Sequence, residues 1–169
     1  MKMNKYGRRL LRLADELDKA EMNFDFAQFA SECDEKGKLT CGSSGCALGL
    51  AASIPFFRRL GLRLVATGEG FFNRKVSLVL RKDLGRARAQ DLYAPYYFGV
   101  RAGTEVFGVN ADEYEFLFIP SDNNFAEMFG RCNPGSNASA HEVAEHIRFF
   151  VSQKYGKPSE GDGRDSQAP

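Results

Sequence analysis

The chain has 169 residues, about the length of one ordinary domain, and carries 23 Lys and Arg against 22 Asp and Glu. Its hydrophobic share of 43%, with 15 Phe, is sufficient for one core without metal or disulfide support. The uncharged stretch from Leu39 to Phe57 is broken by Gly, Ser and Pro, and it falls short of the roughly 20 apolar residues of a membrane span. These features exclude a membrane-spanning protein.

The N-terminal segment predicts an amphipathic helix over residues 5–20. Leu10, Leu13, Ala14 and Leu17 recur at the helical spacing, with charged residues of both signs between them. The acidic residues argue against a mitochondrial presequence, and no apolar signal core is present, so a cytoplasmic location is expected.

A short aromatic helix is predicted after Asn23. Its sequence contains Phe24, Phe26, Ala27 and Phe29, and it ends in the Gly-containing stretch from Glu32 to Lys38.

The next segment combines a Gly/Ser turn with a helix of small residues. The turn runs from Cys41 to Cys46, and the Ala/Leu run that follows predicts a helix that ends before Pro55. Ser53 is expected to cap a further helical turn from Pro55 to Leu60, with Gly61 as its stop signal.

Two short Val/Leu-rich runs predict a β-hairpin. The runs are Leu62 to Ala66 and Val76 to Leu80, separated by a Gly-containing loop, and we expect them to pair antiparallel. From Arg81 to Pro95 the pattern is weak and fits a charged loop or an irregular helix.

Helical patterns return in the last third of the chain. A helix near Tyr97 to Phe107 is expected to stop at Gly108, and Asn110 with Glu113 forms a capping-box pattern for the next helix. A short element around Phe125 to Phe129 follows.

A final capping box, Ser139 with Glu142, is expected to open a helix whose inner face contains Val143, Ile147 and Phe150. The elements together predict an α+β fold that is mainly α, a single compact helical domain with one small antiparallel β-hairpin. We expect this globular domain to cover residues 4–155 and the polar, Gly- and Pro-containing segment 156–169 to be a disordered tail.

Charge is divided between two segments. Residues 58–101 contain ten basic and three acidic residues, a net of +7, whereas residues 102–150 contain eight acidic and two basic residues, a net of −6. The two segments could neutralise each other, the basic one could bind a protein partner, or its aromatic residues could add base stacking for single-stranded nucleic acid. The candidate binding surface comprises Arg81, Lys82, Arg86, Arg88, Tyr96 and Tyr97.

The cysteine loop is the candidate for chemistry. Cys46 is expected at the first turn of a helix, where the dipole and free backbone N–H groups favour a thiolate. His141, near the start of the last predicted helix, is the candidate base, in the Cys-then-His order of papain-like enzymes. That loop lacks the papain-like aromatic after the nucleophile, and the alternative is that the thiols pack as small buried groups.

Metal binding is not predicted. Cys33, Cys41, Cys46 and Cys132 lack the close pairs typical of structural zinc. A disulfide between Cys41 and Cys46 is disfavoured in a reducing compartment, and neither a metal nor a cofactor is expected.

Several short motifs form a recognisable combination: Thr40-Cys41-Gly42, Cys46 to Ala51, Pro55-Phe56, Gly61-Leu62, Val106 to Val109, Glu115 to Phe118, and Glu142 to Ala144 with Ile147 and Phe150. Together they resemble a set of small proteins encoded by phages, prophages and their bacterial hosts. The resemblance covers roughly residues 40–150 and implies a fold and a mobile-element context but no catalytic residues. Two departures are the Ala138-to-His141 lead-in, where the set often has a proline, and a longer basic hairpin section.

The leading functional hypothesis is a small cytoplasmic interaction protein that binds a macromolecular partner, with a protein favoured over a nucleic acid and no membrane contact. A thiol-dependent hydrolase or transferase using Cys46 and His141 is the first alternative. Non-specific nucleic-acid binding through residues 58–101 is the second.

Overall fold

Helices make up most of the regular structure. The computed structural model describes residues 3–20, 24–26, 33–36, 38–39, 44–67, 75–85, 95–120 and 130–156, with all their side chains except those of residues 67, 75 and 95–97. In these ranges the elements are α1 (Lys5–Leu17), α2 (Ala47–Ser53), α3 (Pro55–Arg59), β1 (Leu62–Thr67), β2 (Lys75–Leu80), a 3-10 turn (Arg81–Asp83), α4 (Pro95–Phe107), α5 (Ala111–Phe118) and α6 (Ala140–Tyr155). The predicted fold class, mainly α with one antiparallel hairpin, is confirmed.

Helix α1 begins at a side-chain cap and buries the predicted face. The Asn4 Oδ1 atom accepts hydrogen bonds from the N–H groups of Tyr6 and Gly7, at 3.0 and 2.9 Å. Leu10, Leu13, Ala14 and Leu17 are buried, and the helix packs mainly against α6. The spacing of the apolar residues therefore decides which side of α1 faces the core.

Two short helices, α2 and α3, meet at Ile54. Pro55 occupies the first turn of α3, where its missing N–H costs no hydrogen bond. The expected cap by Ser53 is wrong, because Ile54 is the cap residue of α3 and offers no side-chain bond. Ser53 Oγ instead accepts a hydrogen bond from the Leu39 N–H at 2.9 Å and so ties the 38–39 segment to α2.

The hairpin pairs as predicted, with Leu62 opposite Leu80 and Leu64 opposite Leu78. These four leucines lie on one face and belong to the main core. The opposite face holds Val65 and Val79, which form a second apolar cluster with Phe98 of α4, and Leu84 packs against this cluster. Both faces of the small sheet are therefore covered, which a two-stranded hairpin needs for stability.

Both predicted capping boxes are present. Asn110 Oδ1 accepts from the Glu113 N–H at 2.9 Å, and Glu113 Oε2 accepts from the Asn110 N–H at 3.0 Å. Ser139 and Glu142 exchange equivalent bonds at the start of α6. These reciprocal contacts satisfy backbone donors that a helix start otherwise leaves open.

Aromatic rings join α3, α4 and α5 in the core. Phe57 lies 5.4 Å from Phe107 between ring centroids, Phe107 lies 5.6 Å from Phe118, and Phe118 lies 5.5 Å from Tyr114. All four rings are fully buried. This chain of contacts fixes α4 and α5 against the small helices that precede the hairpin.

Several predictions fall partly or wholly outside the described residues. Phe24 forms an isolated parallel bridge with Gly45 and residues 25–26 are not helical, so the predicted aromatic helix is wrong at its start, and residues 27–32 lie outside the description. The Phe125-to-Phe129 element lies outside as well. The predicted tail overlaps the description only at Gly156.

Candidate functional site

The predicted binding surface is only partly placed. Arg81 and Lys82 are exposed in the 3-10 turn that directly follows β2. Tyr96 and Tyr97 lie in the first turn of α4, but their side chains are not described, and Arg86 and Arg88 lie outside the described residues. The structure thus gives positions for two of the six candidate side chains.

Part of the positive charge is neutralised within the chain. Lys82 Nζ lies 2.6 Å from Glu105 Oε2, and Arg101 Nε lies 3.3 Å from Glu105 Oε1 and 3.5 Å from the buried Asp83. The Lys82 hydrogen bond, and then that of Arg101, holds the pKa of the Glu105 carboxyl below its usual value. The basic and acidic segments therefore do meet, at the contact between the 3-10 turn and α4.

Arg58, Arg63 and Arg81 converge at the open end of the hairpin, and the exposed Arg59 lies beside Arg58 in the last turn of α3. We call these four arginines the basic corner. Arg58 and Arg59 form the last turn of α3, where the helix dipole favours positive charge. The chain then turns at Gly61, whose φ of +104° disfavours any other residue type.

The hairpin register brings the fourth arginine back to this turn. The Arg81 N–H donates to the Gly61 carbonyl oxygen at 2.7 Å, directly beyond the Leu62–Leu80 pair. Arg81, some twenty positions later in the sequence, is in this way placed beside the end of α3.

Arg63 is the half-buried centre of the basic corner. Its Nη1 atom donates to the carbonyl oxygens of Arg58 at 2.7 Å and Leu62 at 2.6 Å. Partial burial, and then the charges of Arg58 and Arg81, lower the pKa of the Arg63 guanidinium. Like charges have been gathered here at an electrostatic cost.

The corner contains charge that the described chain does not neutralise. Arg59, Arg63 and Arg81 form no ion pair with any carboxylate in the ranges that the structure describes. Lys82, immediately beside Arg81, does have such a partner in Glu105. The corner and the neutralised cluster are thus adjacent but electrostatically different.

Sequence reasoning counted Arg58, Arg59 and Arg63 in the basic segment but did not single them out. They lie on a helix and a strand, and only the turn at Gly61 and the hairpin register bring them to Arg81. A local signal did exist, since three arginines fall within six residues around one glycine.

Cys46 does not have the environment of a nucleophile. It precedes α2 as predicted, but it is only 2% exposed, and burial raises the pKa of its thiol to about 11. Hydrogen bonds from the backbone of Gly49 and Leu48 favour the thiolate by less than burial disfavours it. Cys46 is the cap residue directly before α2 rather than part of its first turn, and the expected effect of the helix start on the thiol is outweighed by desolvation.

His141 contacts a carboxylate at the end of α1. Its side chain is 71% exposed, and Nδ1 lies 2.8 Å from Asp18 Oδ1 at the end of α1. Arg148 of α6 contacts the same Asp18 carboxylate and also Asp15. The imidazole therefore belongs to a charged cluster that joins α1 to α6, and Cys41 of the loop lies outside the described residues.

The second histidine is part of the core. His146 is fully buried, its Nε2 bonds the Phe116 carbonyl oxygen at 2.8 Å, and its ring packs against that of Phe116 with centroids 4.2 Å apart and an angle of 50° between the ring planes. Burial lowers its pKa to about 4, which keeps the ring neutral at physiological pH. Among the described residues, no three His, Cys, Asp or Glu side chains are grouped so as to hold a metal ion.

One surface depression, of about 490 Å³, lies beside the loop before α6. Its lining includes Arg131, the exposed Cys132 and Glu142. The Glu142 carboxylate is already engaged by Ser139 in the capping box, and the Asn133 amide donates to the carbonyl oxygens of Glu115 in α5 and of Ile119 directly after it. We assign no chemistry to this depression.

No protein family, no curated protein and no solved structure matches the chain. Of the helices described, none has the length and apolar character that crossing a bilayer demands. The fold and site thus define a mainly α domain with an arginine-rich surface at the open end of its hairpin.

Proposed function

We propose that this protein acts by binding an acidic protein partner through the basic corner, Arg58, Arg59, Arg63 and Arg81. The observation that supports the proposal is the convergence of Arg58, Arg63 and Arg81 near Gly61, while Arg59, Arg63 and Arg81 form no ion pair with the described carboxylates. A partner carboxylate at this position would relieve the repulsion between the arginines. Complementary charge of this kind increases association rate and specificity.

An acidic protein fits better than a nucleic acid. Binding of single strands depends on exposed aromatic side chains on which bases stack, as well as on positive charge. Phe98, the aromatic residue of the basic segment whose side chain is described, is buried against Val65 and Val79 and cannot serve in this way. The corner therefore has guanidinium groups, and in the part of the basic segment that the structure describes no exposed aromatic side chain lies beside them for a base to stack on.

The thiol-enzyme alternative gains no support from the geometry, since Cys46 is buried and His141 bonds Asp18. A cytoplasmic location and a phage or mobile-element origin are part of the proposal only as sequence-based predictions. They rest on the scarcity and spacing of cysteines and on the short motifs described above.

The test is direct binding of two polyanions of equal charge, a glutamate-rich peptide and a single-stranded oligonucleotide. The variant Arg59→Glu/Arg63→Glu/Arg81→Glu reverses three charges of the corner. We expect it to weaken peptide binding by about 100-fold at low salt, the effect of roughly 1 kcal/mol for each lost charge contact. If reversal impairs folding, the corresponding Gln variant retains the test with a smaller effect.

The matched control is Lys5→Glu/Arg8→Glu/Lys19→Glu. It changes net charge by the same amount at exposed positions on or beside α1. Equal loss of peptide binding in both variants would show a general charge effect and refute the corner. Tighter binding of the oligonucleotide than of the peptide at physiological salt would assign the surface to nucleic acid instead.

A further inference from the structure

Arg63 is held in one orientation by the backbone. It lies in β1 opposite Val79, on the face that α4 covers, and its Nη1 atom is bound to the carbonyl oxygens of Arg58 and Leu62. An arginine free in solvent samples many rotamers, and ordering it on binding costs conformational entropy. That entropy is already lost at Arg63 in the folded chain.

The bonds at Nη1 leave a second side of the guanidinium open. Nε and Nη2 of Arg63 have no hydrogen-bond partner within the part of the chain that the structure describes. These two N–H groups point in parallel and match the two oxygens of a carboxylate, or two oxygens of a phosphate group, in a bidentate contact.

The neighbouring arginines differ from Arg63 in this respect. Arg58 uses Nη1 for the Ala52 carbonyl oxygen at 3.0 Å and Nη2 for that of Lys36 at 2.7 Å. Arg81 is exposed, with no carboxylate partner in the described ranges. Arg63 thus combines a fixed guanidinium, an open pair of donors and positive charge on either side.

We infer that Arg63 is an oxyanion-binding residue that receives one carboxylate or phosphate group of the partner bidentately through Nε and Nη2. Arg58 and Arg81 supply the surrounding positive charge. This inference rests on the proposed function, because it specifies how the basic corner recognises its partner. An arginine that only capped the end of α3 would need Nη1 alone. The unbonded Nε and Nη2 groups of Arg63 are therefore the part that we assign to the partner.

The test uses small ions rather than a partner. In protein labelled with ¹⁵N, the Nε–Hε signal that disappears in Arg63→Lys identifies Arg63, and its position is followed during addition of phosphate or acetate at constant ionic strength. We expect a saturable shift with a Kd on the order of 10 mM, as for one bidentate contact in water. Chloride should bind more weakly and shift the signal less than either oxyanion, because a single spherical ion cannot place one acceptor atom in line with each of the two parallel N–H groups.

Arg59 supplies the internal control. It is exposed on the same corner, so its Nε–Hε signal experiences the same ions without the fixed geometry, and it should shift little and without saturation. Tighter binding of acetate indicates acidic side chains on the partner, and tighter binding of phosphate indicates a phosphorylated group. An Arg63 signal that does not move with either oxyanion overturns the inference.

Substitution separates charge from geometry. Arg63→Lys keeps the charge but has no pair of parallel donors, so we expect at least fivefold weaker binding of the glutamate-rich peptide, whereas Arg8→Lys, at an exposed position of α1 outside the corner, should bind like the wild type. Equal affinity of Arg63→Lys and wild type would refute bidentate recognition. If the charge-reversal variant of the corner binds the peptide more weakly but the Arg63 signal shifts with neither ion, the proposed function stands and this inference fails. If Arg63 binds the ions but peptide binding does not depend on the corner, the proposed function fails instead.

Discussion

The ring of Tyr6 in α1 lies directly against the backbone of Gly108, the residue that follows α4. A Cβ atom placed on Gly108 would lie 2.5 Å from Tyr6 Cγ, and the φ of Gly108 is +66°. The end of α4 can therefore approach α1 only because residue 108 has no side chain. Arg9 strengthens the same junction, since its Nη1 donates to the Val106 carbonyl oxygen at 2.8 Å.

Gly108→Ala should lower the free energy of unfolding by about 3 kcal/mol, from overlap with the Tyr6 ring together with strain at positive φ. Urea denaturation followed by circular dichroism measures this change. Gly130 is the matched control, because its φ is +72° and nothing lies within 4 Å of an added Cβ. Gly130→Ala should therefore cost only about 1 kcal/mol. A similar cost at both positions would contradict the proposed contact.

His146 should make the fold sensitive to mild acid. Its folded-state pKa of about 4 lies below the ordinary value of 6.5, so the unfolded chain binds a proton first as the pH falls. Above pH 6.5 the His146 ring makes the free energy of unfolding no lower. Between pH 6.5 and 4 this ring lowers the free energy of unfolding by about 3 kcal/mol. Chemical denaturation at a series of pH values measures the slope.

The pH dependence of stability that is due to His146 must be obtained by difference. Acidic groups such as Asp18 and Glu105 have lowered pKa values, so the folded protein also loses their stabilising contribution in acid. His146→Gln removes the titrating ring while keeping a donor for the Phe116 carbonyl oxygen, and its stability should depend less on pH across this range. His141→Gln, at an exposed position, should leave most of the slope intact. An unchanged slope in His146→Gln would contradict the assignment.

Cysteine labelling should follow burial. Cys132 is exposed, whereas Cys46 is buried with a pKa of about 11. When native protein is treated with iodoacetamide near neutral pH, Cys132 should therefore be modified. Cys46 should react only after denaturant is added. Peptide mass spectrometry resolves the sites. Fast native labelling of Cys46 that is lost in His141→Ala would restore the thiol-enzyme hypothesis.

Glu105 should weaken the proposed partner binding, because it neutralises Lys82 next to Arg81. Glu105→Gln removes this charge and should tighten binding of a glutamate-rich peptide about threefold, the effect of one exposed ion pair. Glu16→Gln on α1 makes the same change in net charge and should have a smaller effect. Equal effects of the two variants would show that only net charge matters.

Local sequence was enough to predict elements whose stabilising contacts are close in the chain. The caps at Asn110 and Ser139 each use residues three positions apart, and the hairpin strands follow from short Val/Leu runs. The cap assigned to Ser53 failed because a longer-range partner, the Leu39 N–H, engages its hydroxyl. Side chains that can bond nearby backbone also bond distant backbone, and sequence spacing alone does not distinguish the two.

Sequence alone determined the mainly α class, the amphipathic face of α1 and the division of charge between two segments, because each depends on composition or short-range periodicity. Tertiary structure decided which charges remain available. Lys82 pairs with Glu105, whereas Arg81 is brought near Arg63 by its backbone bond to Gly61. The hairpin register and the packing of α4 fix these distances between residues far apart in sequence. Burial likewise raises the pKa of the Cys46 thiol, which the sequence had suggested as a nucleophile. This effect could not be read from the sequence, since desolvation depends on what the whole fold packs around the thiol.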